Sequence, residues 1–324
     1  LGSGSWGTAL AMLMARNGHQ VILWGRNPEK ILKMKAAGCN CFFLPENPFP
    51  ETLALSSDLA EVLDHAEDLL VVVPSHAFRE TIDRIKLHQP GLNRMAWATK
   101  GIENKTRDLL DQVVAEEFGR DIEMAVISGP TFAKEVAEGL PTAVVVASNN
   151  PAYSQHFSEL LRNSTFRPYV SQDIIGVEVG GAAKNVIAIA AGIADGLGFG
   201  ANSRAALITR GLSEIMRLAV RLGGESKTIM GLSGLGDLLL TCTENQSRNR
   251  RLGLAVGKGL TVEQAHQEIK QVVEGIQAAR LVHLLARQHG IEMPITEQVY
   301  QVLYHDLSAK QAVHNLLSRE YTSE

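Results

Sequence analysis

The chain has 324 residues, 45% hydrophobic and 20% charged, with a formal net charge of −4. Roughly two globular domains of ordinary size fit that length, and the acidic balance excludes general affinity for polyanions, so no nucleic-acid partner is expected. Apolar runs are strand-length, short of the roughly 18 residues a membrane helix needs, so no membrane insertion is expected, and no secretory signal is read at the start.

The first element is a glycine-rich turn, Gly2-Ser3-Gly4-Ser5-Trp6-Gly7, with the spacing G-x-G-x-x-G. A helix-forming run over 8–17 follows, closed by Gly18. The first glycine permits the tight turn, the second lets a pyrophosphate approach the backbone, and the third lets the helix pack on a strand. The helix N-terminus then offers N–H groups and partial positive charge to phosphate. Purely structural glycines would look the same; the surrounding βαβ pattern favours a dinucleotide. In this fold a central strand precedes the turn, so several apolar residues before Leu1 are expected. Residues 21–24 read as the next strand, ending in Gly25-Arg26. An acidic residue there would select NAD; Arg26 suits a ribose 2′-phosphate, or points to solvent.

Cys39 and Cys41 lack the spacing and partners of a zinc site, and Cys242 has no activating base nearby. All three read as structural, in a reducing compartment. Continuous apolar runs at 69–73, 95–98, 124–127 and 143–146 predict strands buried on both faces of a parallel sheet. Their alternation with amphipathic helices predicts a doubly wound, Rossmann-type α/β domain. Lys100 follows one such strand, at the carboxyl edge where these sheets place ligands; a surface lysine is the alternative. Ser128-Gly129-Pro130-Thr131 ends another strand and opens a helix, as helix-start chemistry or as N–H donors to a substrate.

After about Asp173 apolar residues recur at helical spacing, and 182–194, 205–222, 277–288 and 311–317 read as helices. The expected organisation is a dinucleotide domain over 1–179 and an all-helical substrate domain over 180–324. Lys184 and Asn185 stand among small and apolar residues. Desolvation there would lower the lysine's pKa and suit it to proton transfer, unless it snorkels to the surface. Asp237, after Gly234-Leu235-Gly236, either charge-balances that lysine or caps a helix. The cationic run Ser247-Arg248-Asn249-Arg250-Arg251 is a solvated basic loop or a phosphate clamp, Arg248 binding by its fork and Asn249 by its amide. Val272-Val273-Glu274-Gly275 reads as a helix boundary.

The stretches GSGSWGTALA, VVVPSH, WATKGIE, ISGPTFAKE, GGAAKNVIAIAAGIADGLGFGANSRAALITRGLSE, GLSGLGDLLLTCTENQSRNRRLG and QVVEG together resemble the bacterial-type NAD(P)-dependent glycerol-3-phosphate dehydrogenases, over most of the chain. The resemblance implies reversible reduction of dihydroxyacetone phosphate to sn-glycerol 3-phosphate with NADPH or NADH. It implies a cytoplasmic homodimer that supplies glycerophospholipid synthesis. It makes Lys184 the proton donor and acceptor, catalytic together with Lys100 and Asp237. It lines the substrate with Lys100, Gly129, Thr131, Lys184, Asn185, Asp237, Ser247, Arg248 and Asn249. It brings Gly2, Gly4, Ser5, Trp6, Gly7, Arg26, Lys100, Ala133, Arg248, Val272 and Glu274 to the cofactor. No metal is expected at the carbonyl. A two-domain β-hydroxyacid-type dehydrogenase would share this architecture and also use lysine and arginine. A nucleotide-sensing regulator without turnover would be expected to lack Lys184 or Asp237.

Overall fold

The computed structural model describes residues 1–269 and 271–319. The chain divides into two compact units, Leu1–Glu178 and Val179–Glu324.

The first unit opens with α1 (Ser5–Arg16), β1 (Val21–Trp24), α2 (Pro28–Ala37), β2 (Cys39–Asn40), β3 (Leu44–Pro48) and β4 (Leu53–Ser56). It continues with α3 (Leu59–His65), β5 (Leu70–Val71), α4 (Phe78–His88), β6 (Arg94–Trp97), α5 (Leu110–Phe118) and β7 (Glu123–Ser128). It closes with α6 (Ala133–Glu138), β8 (Thr142–Ser148), α7 (Pro151–Leu161) and β9 (Phe166–Ser171). The main sheet has the order β5-β6-β7-β8-β9, and β1 pairs with β4. Leu1 and Gly2 bridge these groups: the Gly2 N–H donates to the Trp24 carbonyl at 2.9 Å, and the Val72 N–H donates to the Leu1 carbonyl at 2.7 Å.

Alternate side chains of a strand point to opposite faces, and here each face has its own core. Ala96, Ala125 and Ile127 pack with α1, α2 and α7. Met95, Trp97, Met124 and Val126 pack with α3, α4 and α5. Burial on both faces is why these strands read as unbroken apolar runs. One expectation needs correcting: β8 runs antiparallel to β7, whereas the other pairs within the main sheet are parallel. The strands β4 and β9 and the β2–β3 hairpin lie outside the predicted runs. β9 carries Pro168 and, among the described residues, pairs only with β8, an edge position that tolerates the missing donor.

The helix α8 (Ile174–Gly196) begins in the first unit and continues into the second. At its root lies a buried pair of carboxyls. Glu178 accepts from Trp97 Nε1 at 2.9 Å and from the Asp111 N–H at 3.4 Å. Burial, then the neighbouring Asp111, pushes the Glu178 carboxyl well above its ordinary value; burial also raises Asp111. α8 corrects a second expectation: its 23 residues are long and apolar enough to cross a membrane, yet 94% of its apolar window is buried inside the protein. It is a core helix.

The second unit continues as α9 (Ala201–Arg221), α10 (Ser226–Ile229), a π-helical turn (Leu232–Gly236), α11 (Asp237–Thr243) and α12 (Arg248–Gly257). It ends as α13 (Val262–Ile269), α14 (Glu274–Gln288), α15 (Pro294–Tyr304) and α16 (Ala309–Leu317). α8 and α12 touch backbone to backbone through Gly192 and Gly196 on one helix and Gly253 and Gly257 on the other. A Cβ on Gly192 would lie 2.8 Å from the Leu254 nitrogen and overlap the Arg250 carbonyl; one on Gly253 would lie 2.9 Å from the Ile193 nitrogen and overlap the Ile189 carbonyl. Only glycine permits that approach.

Candidate active site

The glycine-rich turn meets the start of α1. Gly2 has φ +116°, and a Cβ on it would collide with the Val72 carbonyl. One on Gly7 would collide with the Gly2 carbonyl. A Cβ on Gly4 meets no described atom within 4 Å. Packing therefore demands the outer two glycines, and the middle one borders open space. Gly4 caps α1 without a side-chain hydrogen bond, so no capping side chain occupies the N–H groups of Ser5, Trp6 and Gly7. The buried indole N–H of Trp6 also has no partner among the described residues. Open backbone, helix N-terminus and orphan donor fit a dinucleotide phosphate.

Asn40 anchors this turn, and nothing in the pattern of the chain singled it out. Its amide is wholly buried and donates to the Ser3 carbonyl at 3.1 Å and to Thr8 Oγ1 at 2.8 Å. Arg26 is exposed directly beyond β1. A Cβ on the preceding Gly25 would collide with the Ser3 hydroxyl, so the end of β1 lies against the turn. Asn27 then caps α2, accepting from the Lys30 N–H at 3.0 Å.

At the carboxyl ends of β6 and β7, Lys100, Gly129 and Thr131 come together. Lys100 Nζ donates to the Gly129 carbonyl at 3.3 Å, and Thr131 Oγ1 donates to the same oxygen at 3.2 Å. A Cβ on Gly129 would lie 2.9 Å from Val144 Cα, so the turn is pressed against β8. Phe132, not Thr131, is the cap residue of α6, and Ala133 opens the helix.

In the second unit Lys184 is 7% exposed and Asp237 0%. The ammonium is ion-paired with Asp237 Oδ1 and donates to Thr241 Oγ1 at 3.1 Å. Thr241 in turn donates to the Asp237 carbonyl at 2.6 Å. Lys184 is thus buried as expected, but in company: a carboxylate compensates the desolvation of its charge. Of the two roles read for Asp237, the helix cap falls away, because Gly236 is the cap residue and Asp237 opens α11. Thr241 was missed. Its signal was the spacing, one helical turn beyond Asp237 on the same face. Burial pushes the thiol of the adjacent Cys242 up to about 12, so it is neutral and inert.

The cationic run resolves into side chains with different fates. Ser247 caps α12, its hydroxyl accepting from the Arg250 N–H at 3.2 Å. Arg248 is half-buried, and its Nη1 donates to the Val272 carbonyl at 2.8 Å. Val273 caps α14 and Glu274 opens it, so Glu274 lies two residues beyond Val272, whose carbonyl is Arg248's acceptor. Asn249 Nδ2 donates to Asn185 Oδ1 at 2.8 Å, while Asn249 Oδ1 accepts from the Gly275 N–H at 2.9 Å. An amide has two N–H donors, and this contact uses one of them. Arg250 is buried and Arg251 exposed, so the run is not one solvated patch.

Residues 1–154 match the family described as NAD-dependent glycerol-3-phosphate dehydrogenase N-terminus, and residues 173–314 match its C-terminal counterpart. A glycerol-3-phosphate dehydrogenase (NAD(P)+) of Pseudoalteromonas translucida (strain TAC 125) is 54% identical, covering 100% of this chain and 97% of the relative. That of Edwardsiella ictaluri (strain 93-146) is 53% identical, covering 100% and 96%. The crystal structure of glycerol-3-phosphate dehydrogenase from Coxiella burnetii superposes with a TM-score of 0.95 at 52% identity, covering 98% of this chain and 97% of that one.

Proposed function

The chain belongs to the NAD-dependent glycerol-3-phosphate dehydrogenase family, and from that premise we propose how its residues carry the reaction. Its activity is the NAD(P)-dependent interconversion of dihydroxyacetone phosphate and sn-glycerol 3-phosphate. The observation that carries the assignment of residues is the buried Lys184–Asp237–Thr241 cluster, with Asn185 of the same helix tied to Asn249.

When bound, the nicotinamide cofactor supplies the hydride that reduces the carbonyl carbon. Gly2, Gly4, Ser5, Trp6 and Gly7 receive its pyrophosphate at the start of α1, and Arg26 receives the 2′-phosphate of NADPH. Lys100, Ala133, Arg248, Val272 and Glu274 complete the cofactor contacts. Lys184 gives its proton to the carbonyl oxygen in reduction and takes it back in oxidation. Asp237 pairs with the ammonium and, with Thr241, aims it. Lys100 adds positive potential at the same oxygen, beside Gly129 and Thr131. Ser247, Arg248 and Asn249 hold the phosphate, and Asn185 orients Asn249. Binding energy distant from the carbonyl then orients the reacting atoms.

We further place the enzyme in the cytoplasm as a homodimer that supplies glycerol 3-phosphate for phospholipid synthesis. Its three free cysteines suit a reducing compartment. Purified protein is expected to bleach the nicotinamide absorbance of NADPH when dihydroxyacetone phosphate is added, and not with β-ketoacids. Equal rates on both substrate classes would overturn the assignment of the phosphate-binding residues.

A further inference from the structure

We propose that Arg250, locked by Asp195, is the positioning residue of the phosphate clamp, acting through the first turn of α12. The proposal rests on the reading that Arg248 and Asn249 hold the substrate phosphate. The Arg250 guanidinium donates in three directions. Nε reaches the Cys242 carbonyl on α11 at 3.0 Å, Nη1 reaches Asn245 Oδ1 on the connecting loop, and Nη2 reaches Asp195 Oδ2 in the last turn of α8. Its backbone N–H is the one that the Ser247 hydroxyl caps. Asp195 is held from a second side, by Arg204 Nη1 at 3.0 and 3.1 Å from its two oxygens.

The Arg250 side chain is 10% exposed and that of Asp195 9%. These donors end on protein acceptors, so Arg250 serves as an anchor rather than as a ligand to phosphate. A buried ion pair contributes little stability beyond what apolar residues of the same volume would give. What a planar fork supplies is direction: three bonds in one plane fix the helix start in rotation as well as position. The three residues that precede this anchor, Ser247, Arg248 and Asn249, are those assigned to the substrate. Arg248 itself is tied to the Val272 carbonyl, on an exposed residue. Without Arg250, the chain between α11 and α12 loses its tie to Asp195 on α8, and the clamp loses its aim.

The test compares Arg250→Lys, Asp195→Asn and Arg248→Ala, each measured with dihydroxyacetone phosphate and with unphosphorylated dihydroxyacetone. Lysine keeps the charge but not the fork. Arg250→Lys is expected to raise KM for the phosphorylated substrate about tenfold or more, with kcat lowered less than about threefold and dihydroxyacetone turnover nearly unchanged. In an Arg248→Ala background the same substitution should add less than about threefold, because the two act through one contact. Asp195→Asn, which keeps the size of the side chain, should give the same signature, more weakly. If Arg250→Lys or Asp195→Asn depresses both substrates equally, or adds its full effect in the Arg248→Ala background, the proposal fails and Arg250 is a stabilising residue only. If Arg248→Ala itself spares the preference for phosphate, the clamp reading fails first and this proposal with it. Should Arg250→Lys not fold, Asp195→Asn decides.

Discussion

Replacing Lys184 by Met removes the ammonium while keeping an unbranched apolar stem of similar length. Two separable losses should follow. The first is chemical: without its proton donor, kcat should fall about 10²–10⁴-fold, the range for a lost general acid. The second is structural. Asp237 is 0% exposed, and its carboxylate would stay buried without its counter-ion. Breaking a buried pair from one side costs about 3–5 kcal/mol. For a domain of this size that corresponds to a drop in melting temperature of roughly 6–20 °C. Adding Asp237→Leu removes the stranded charge as well, so Lys184→Met/Asp237→Leu should regain most of the melting temperature while activity stays lost. Steady-state kinetics and calorimetry on the parent, the two single variants and the double variant close the cycle. If Lys184→Met keeps kcat within a few-fold of the parent, Lys184 is not the proton donor. If the double variant melts as low as the single one, the buried pair is not what the ammonium stabilises.

Arg26→Asp should shift the ratio of kcat/KM toward NADH by about tenfold or more, mostly through KM for NADPH, because the 2′-phosphate contact is the same in ground and transition states; an unchanged ratio would place Arg26 in solvent. Burial, then the neighbouring Asp111, raises the folded pKa of Glu178 well above the ordinary 4.5. Its contribution to stability is therefore whole below the ordinary carboxylate range and is lost as pH rises through the raised value. Glu178→Gln should flatten the decline of melting temperature as pH rises above the ordinary carboxylate range, and an equal slope in both proteins would contradict the raised value. Gly253→Ala forces a methyl onto main-chain atoms of α8 that cannot rotate aside, and should cost about 1–3 kcal/mol with a matching rise in KM for dihydroxyacetone phosphate. Gly91→Ala, whose Cβ meets no described atom within 4 Å, is the control, and equal melting temperatures for the two would dispose of the close contact.

The parts legible in the chain were those whose residue types answer a local demand. The outer glycines of the first turn stand where a Cβ would strike the Val72 and Gly2 carbonyls, and the turn is readable for that reason. The strands β6 and β7 announced themselves because both faces are covered. Strand direction was not legible: an apolar run does not encode which way it points, so the antiparallel return of β8 went unread. Neither was β9, of whose residues only Phe166 is buried, as an edge allows. At the site, Lys184 and Asp237 could be suggested as partners from their apolar and glycine-rich neighbourhoods. The separate fate of Arg250 could not. Its burial depends on Asp195, on a different helix, and adjacent arginines look alike until such a distant partner is known.

The main-chain contact between α8 and α12 has a consequence for how this enzyme can change. Lys184 and Asn185 ride on one helix, Arg248 and Asn249 on the other. Where Gly192 and Gly196 meet Gly253 and Gly257 there are no side chains to trim, swap or repack. At those four glycines the spacing of the two helices is set by the thickness of two backbones, the least adjustable dimension a protein has. Drift in the surrounding core can proceed without altering it. By the same token, a mutant library cannot lengthen that spacing in small steps at the contact, since alanine, the smallest increment, already overlaps main-chain oxygen.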